Sequence, residues 1–395
     1  MDADEAKTVG RFLRKVRRKR GLSLEVVAGL AGISVSHLSR VERGEAVLDR
    51  LSHMQGVADA LGITLWEILR LPEPMSGNGG TDSATAGIRR ALDAVVLDRP
   101  GGEVLPVREL QKRVKIVLRN HRWCRFAQVS AALPGLIRDL HTTIDTGRDL
   151  DVLLPLAVLL HVHVTRMFLR HAGAPTDLRR LAVFLARDVA RRHDTTTSLG
   201  LAAYGVADTL IKEGAFELAQ AELDNISLPL VTADTVGLVC ATMATRAWLT
   251  AINGGDADAV LVAAAEIAEP FGELSEHDQL DLAFGPASLG IRRIGAALEL
   301  GDDDRAVHLA LSMQPEANPF PASEAFYWIE TGRALARVRG RLDDAVIAYR
   351  KAEDLSPVQL YRDPGTREVI SGLLTRARHN AMGEELQGLA GRLGL

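Results

Sequence analysis

The sequence predicts an all-α fold: a basic module of five short helices at the N-terminus, followed by a long array of paired helices. Three observations carry this. Hydrophobic residues make up 47% of the chain but aromatic ones only 4%, so small and aliphatic side chains must build the core, a mix that favours helices. From residue 83 to residue 395, apolar residues recur at helical period in stretches of 12–24 residues broken by Gly and Pro, with no convincing strand. Finally, a Gly followed five residues later by Ala recurs at Gly214, Gly254, Gly301 and Gly340, in steps of 40, 47 and 39 residues.

Each short helix has its own start and stop signals. Val9, Phe12, Leu13 and Val16 lie at helical spacing, and Gly21 ends a helix over residues 9–20. Ser23 caps a second helix over 24–31, which Gly32 ends. Ser34 caps a third over 35–43, closed by Gly44. A fourth spans 50–61 and a fifth 65–70. Only Gly32, Ile33 and Ser34 separate the second and third helices, and a three-residue turn with Gly between two short helices is the helix-turn-helix signature. Ala28 is small where the two helices must cross, with Val27, Ile33, Leu38 and Val41 behind it.

Charge points the same way. The chain carries −4 overall, but residues 1–72 carry +3 and the remainder −7. Eight basic residues and no acidic one lie between Lys7 and Arg20, which suggests a polyanionic partner for one end only.

The run S-L-E-V-V-A-G-L-A-G-I-S-V-S-H-L-S-R-V-E-R-G, residues 23–44, resembles the DNA-binding domain of the phage-repressor and Cro-like regulators, the XRE family, over about residues 8–71. The resemblance implies that the helix from Val35 enters the major groove of double-stranded DNA. Val35, Ser36 and Arg40 would then face bases, Arg40 as the candidate for bidentate contact to guanine and Val35 for apolar contact to a thymine methyl. His37, Ser39 and Arg43 would touch backbone or flanking bases, and Ser23 would offer its hydroxyl to a phosphate. Glu42 is expected to turn inward and pair with an Arg, such as Arg14 or Arg18, and both of these also count among the expected DNA-binding residues. Many relatives carry Gln after the first cap; Leu24 stands here, which puts one backbone contact in doubt but not the groove geometry.

Domain boundaries follow: residues 1–72 form the DNA-binding domain, 73–87 a flexible linker rich in Pro, Gly and Ser, and 88–395 the repeat domain. Helices are expected near 84–97, 106–120, 122–146, 149–172, 177–193, 195–213, 232–253 and 321–339. In the repeats, Gly would take the turn between two helices while Ala lets the second pack on the first. Gly340, Ala345, Tyr349, Ala352 and Pro357 fall at the spacing of the second half of a tetratricopeptide repeat, so the body resembles a tetratricopeptide-like helical solenoid. Placed on that repeat, Tyr204, Asp208, Lys212, Trp248, Ser288, Ile291, Tyr327, Glu330 and Arg337 would line the concave face. Aromatics beside charges suit an extended peptide. Head and body together resemble peptide-sensing bacterial regulators, which implies a homodimer on a two-fold operator under the control of a short signalling peptide or another small effector.

Other classes fit poorly. Cys124 and Cys240 are too few and too distant for a disulfide scaffold or a Cys-based zinc site. His161 and His163, at i and i+2 on a helix, diverge, so no metal or cofactor is expected. No phosphate loop, H-E-x-x-H or G-x-S-x-G motif is present, so no enzyme is expected. The longest apolar run, 152–160, has nine residues where a membrane span needs about 20, and the acidic start lacks a secretory signal, so a cytoplasmic, nucleoid-associated protein is expected. The competing reading is a scaffold or anti-regulator whose repeats bind another protein while the head tethers weakly to DNA.

Overall fold

The computed structural model describes residues 3–48, 50–63, 79–227, 229–272, 285–315, 320–374 and 381–395. Among them there are 21 α-helices and no strand. The expected fifth helix, 65–70, lies outside the described residues.

The head contains α1 (Ala3–Lys19), α2 (Leu24–Leu30), α3 (Val35–Arg43) and α4 (Leu51–Leu61). Its core is its own. Leu13, Val27, Ala28, Leu38, Val41, Val57 and Leu61 are all essentially inaccessible to solvent. Two backbone contacts hold it tight. A methyl group added at Gly10 would lie 2.3 Å from the Val41 carbonyl oxygen, and one at Gly56 would lie 2.8 Å from Ala31 Cα. Glycine there brings α1 onto α3 and α4 onto α2 at backbone distance.

The body opens with α5 (Gly79–Val96), α6 (Val107–Arg122) and α7 (Phe126–Ile144). The expected flexible linker therefore ends earlier than Gly87. Once Ile88, Ala91 and Leu92 are buried against the body, the Thr, Ala and Gly residues before them continue the helix back to Gly79. One unbroken helical run of 22 residues follows: α8 (Leu150–Leu159), a π-turn (Leu160–Thr165) and α9 (Arg166–His171). By length and composition it is long enough to cross a bilayer, unlike the nine-residue run within it, but 78% of its most apolar stretch is buried inside the body. It carries Arg166 and serves as a core helix.

The remaining helices come in pairs. After α10 (Thr176–His193) come α11 (Thr196–Lys212) with α12 (Phe216–Asp224), then α13 (Val236–Ile252) with α14 (Ala257–Ala268). They are followed by α15 (Pro286–Leu300) with α16 (Asp303–Ser312), α17 (Pro321–Arg337) with α18 (Leu342–Leu355), and finally α19 (Pro357–Arg362), α20 (Pro364–Leu374) and α21 (Ala381–Leu393). Gly214, Gly254, Gly301 and Gly340 all take left-handed backbone at φ of 74 to 84° in the turns between partners, where a side chain would be strained. Asp256 and Asp302 then cap α14 and α16 through their carboxylates. Ala219, Ala306 and Ala345 are fully buried against the preceding helix as expected. Ala259 is exposed instead: the Gly254-Gly255 pair starts α14 one residue later relative to its Gly, so Ala257 and Leu261 take the inward face.

The array does not stay open. Two large cores fill the body, one around residues 88–296 and one around 291–393, and α15 contributes to both. α17 packs on α6 and α19 packs on α9, so the two ends of the array meet. Between them lies a cavity of about 210 Å³.

Candidate functional site

The helix-turn-helix is built by local chemistry. The Ser23 hydroxyl accepts from Val26 N at 3.2 Å and the Ser34 hydroxyl from His37 N at 3.1 Å, satisfying amides that have no partner within their helices. Between them the chain turns so that α2 and α3 lie 110° apart. Gly44 closes α3 in the left-handed conformation. Leu38 and Val41 bury one face of α3, which leaves the other to solvent.

That outer face presents the expected residues. Val35 is 39% exposed, and Ser36 and Arg40 are also exposed. His37 is half-buried and meets the ring of His53 edge-on at 6.3 Å. Arg43 is exposed but engaged: it donates to both carboxylate oxygens of Glu45 at 2.8 Å and to the Ser39 hydroxyl at 2.7 Å. An exposed pair of this kind contributes little and exchanges easily for a phosphate. Arg14 and Arg18 are exposed on α1, and Ser23 is exposed beside its cap.

Glu42 does turn inward, but its partner is Arg17. Arg17 Nε and Nη2 donate to its two carboxylate oxygens at 2.5 and 2.8 Å, while Nη1 donates to the Leu22 carbonyl at 2.9 Å. The pair is buried, and the bond to Glu42 holds the guanidinium in its charged form still more firmly. The spacing contains the reason. Val9, Leu13 and Arg17 are four apart and form one buried stripe, whereas Arg14 and Arg18 lie one position further round the helix. The role of Gly10, which meets the backbone of α3 at Val41 and Glu42, is not legible in the sequence because it depends on where α3 lands.

A second feature was not foreseen at all: the head docks on the body through α4. Glu299, near the end of α15, accepts from Ser52 N at 2.9 Å. Arg50, which precedes α4, makes no cap of its own, so a buried carboxylate of the body caps the positive end of a head helix. Two repeat-turn glycines receive neighbouring side chains. A methyl at Gly214 would lie 1.6 Å from Gln55 Oε1, and one at Gly301 would lie 1.9 Å from Arg50 Nη2.

The cavity uses only part of the expected ligand set. Tyr204, Ser288 and Ile291 line it. Asp208 is buried behind it in an ion pair with Arg166, whose charge keeps the carboxylate ionised far below its ordinary range despite burial. Lys212 lies over the Trp248 ring at 4.4 Å, and burial together with Arg170 lowers its pKa to about 8. Trp248 fills the space left by Gly295, where a methyl would approach its ring to 2.7 Å. Tyr327 donates to the Ala310 carbonyl at 2.9 Å. Glu330 is bound by Arg333 at 3.0 Å, and Arg337 ties the Leu298 carbonyl at 2.8 Å to Asp303 at 3.2 Å. These six hold the array together rather than lining the cavity. The structure brings others there that were not expected to line it, among them His163 and Arg170. His163 belongs to the π-turn, a local widening of the helix. His161 points the other way, its Nε2 2.9 Å from His141 Nε2.

Residues 8–71 match the family described as "Helix-turn-helix domain". Over 110 residues the chain is 33% identical to the HTH-type transcriptional regulator DdrOP3 of Deinococcus deserti, a match that spans 28% of this chain and 81% of that protein. Among solved structures, the "Crystal structure of PrgX/iCF10 complex" covers 88% of this chain and 96% of its own at 12% identity, with a TM-score of 0.30 that is too low to equate the two folds. The capped turn, the exposed face of α3 and the match to DdrOP3 place the chain in the family of DNA-binding helix-turn-helix transcriptional regulators.

Proposed function

We propose that the protein binds a two-fold operator as a homodimer, with α3 of each head in the major groove, and that an effector held in the body sets how the heads are placed. The single observation that carries the DNA reading is the face of α3: Val35, Ser36 and Arg40 stand free while the opposite face is locked into the head core. Head docking through α4 leaves this face accessible, so control by covering it is not required. In a dimer the heads must sit about 34 Å apart, or a multiple of that, to read successive half-sites.

Two helices support the link to an effector. α15 lines the cavity with Ser288 and Ile291 and caps the head with Glu299; α11 lines it with Tyr204 and leads into Gly214, against which Gln55 rests. An occupant that prefers one position of these helices shifts the heads by that preference and no more. Selection of duplexes from a random pool tests the reading. Recovery of one short two-fold sequence at physiological salt supports it. Binding that is blind to sequence and fades steeply with salt sinks it, and favours a scaffold that only tethers to DNA.

A further inference from the structure

The cavity is charged in a way that its own walls do not balance. Arg122, Arg166, Arg170, Arg292 and Arg362 line it. Asp208 neutralises Arg166. The carboxylate in the lining, Asp363, is turned to the start of α20, where it accepts from Thr366 N at 2.8 Å and from the Thr366 hydroxyl at 3.0 Å. Among the described residues, neither Arg170 nor Arg362 has a carboxylate partner. The excess positive field is felt nearby: together with burial, Arg170 disfavours the charged forms of His171 and Lys212.

Polar atoms also await a partner. His171 is 7% exposed and its ring stacks on His121 at 5.5 Å, yet its Nδ1 is buried with no hydrogen bond. The Nε2 atoms of His121 and His163, which also line the cavity, are in the same condition. A buried nitrogen without a partner is costly unless a ligand or water supplies one. Met167, Ile291, Ile329, Phe320 and Phe326 supply the apolar part of the lining. Arg122 lies over the Phe320 ring at 4.5 Å and Arg292 over the Phe326 ring at 5.4 Å, so guanidinium and aromatic surfaces adjoin.

We propose that this cavity is the binding site for a small organic acid, with its carboxylate toward Arg170 and the unpartnered imidazole of His171 and its apolar group against Phe320 and Phe326. At about 210 Å³ it matches a small molecule or the last residue or two of a peptide. The shared chemistry of those two sources is a carboxylate on a short apolar stem. The proposal rests on the reading that the body holds an effector and names its class.

The test uses the full-length protein and measures thermal denaturation and calorimetric binding with hexanoate, 4-phenylbutyrate, their uncharged amides and inorganic phosphate. A short hydrophobic peptide with a free or an amidated C-terminus forms a further arm. The acids are expected to stabilise the protein at millimolar concentration while their amides do not. The acid-terminated peptide outranks the simple acids if the natural source is a peptide end and falls below them if it is a free acid. Arg170→Gln is expected to weaken the acid about tenfold or more. Arg362→Gln, at an exposed position, supplies the same comparison if the first variant does not fold. Amides that bind as well as acids, phosphate that binds as well as either, no response to any acid, or a response unchanged in both arginine variants each overturn the proposal. Duplex selection without added acid is measured beside it. Its failure strikes at the regulator reading, whereas a selected operator with no acid binding strikes only at the ligand class.

Discussion

Arg40 and Glu42 sit two residues apart on α3 and have opposite fates, because one faces outward and the other meets Arg17. Arg40→Ala is expected to cost about 1–3 kcal/mol on the selected duplex and little on unrelated DNA. Titration of both duplexes checks this; equal losses on the two would make Arg40 a phosphate contact only. Glu42→Ala leaves Arg17 buried without its carboxylate, a change that costs about 3–5 kcal/mol for a broken buried pair. Denaturant unfolding should show it, with Arg14→Ala and Arg18→Ala as near-neutral controls because both side chains are exposed. Gly10→Ala should disrupt the head as well, since its methyl would lie 2.3 Å from the Val41 carbonyl oxygen and backbone cannot yield as a side chain would.

At the scale of the element, caps and turns explain why α2 and α3 were legible from residue types alone. Ser34 accepts from an amide three residues on, and Gly44 closes the same helix, so both ends are written within the helix itself. The repeat turns were legible for the same reason, apart from the one-residue delay that exposes Ala259. The start of α5 was not, because Gly79 to Gly87 has linker composition and is helical by extension from a buried segment. α4 depends on its neighbour in another way, since one of its first free amides, Ser52 N, meets a carboxylate from the body. Glu299→Ala is expected to remove hydrogen-exchange protection at the Ser52 amide while leaving protection within α13 intact. Unchanged protection at Ser52 would mean that the contact does not hold the head in solution.

Over the whole molecule, the body buries several histidines in the neutral form. Burial lowers His121 and His141 from the ordinary 6.5 to about 4, and also lowers His161, His163 and His171. The sign follows from linkage. Above pH 6.5 these groups are neutral in both the folded and the unfolded chain, and their contribution to stability is complete. As the pH falls from 6.5 toward 4 the unfolded chain takes up protons that the folded chain does not, and stability is lost. Tm measured across this window should fall with pH, and a flat profile would contradict the burial of neutral imidazoles. Bound organic acid should lessen the loss at His171, whose open nitrogen it would meet.

By itself the sequence determined the head and the existence of paired helices, because caps, turn glycines and apolar spacing act over three to five residues. Tertiary structure alone decided which arginine pairs with Glu42, where the head rests and which side chains meet in the cavity. Those outcomes depend on the angle at which α1 crosses α3 and on curvature accumulated over many helices. That curvature brings Arg166 on α9 and Arg362 on α19 to one cavity across almost two hundred residues of chain.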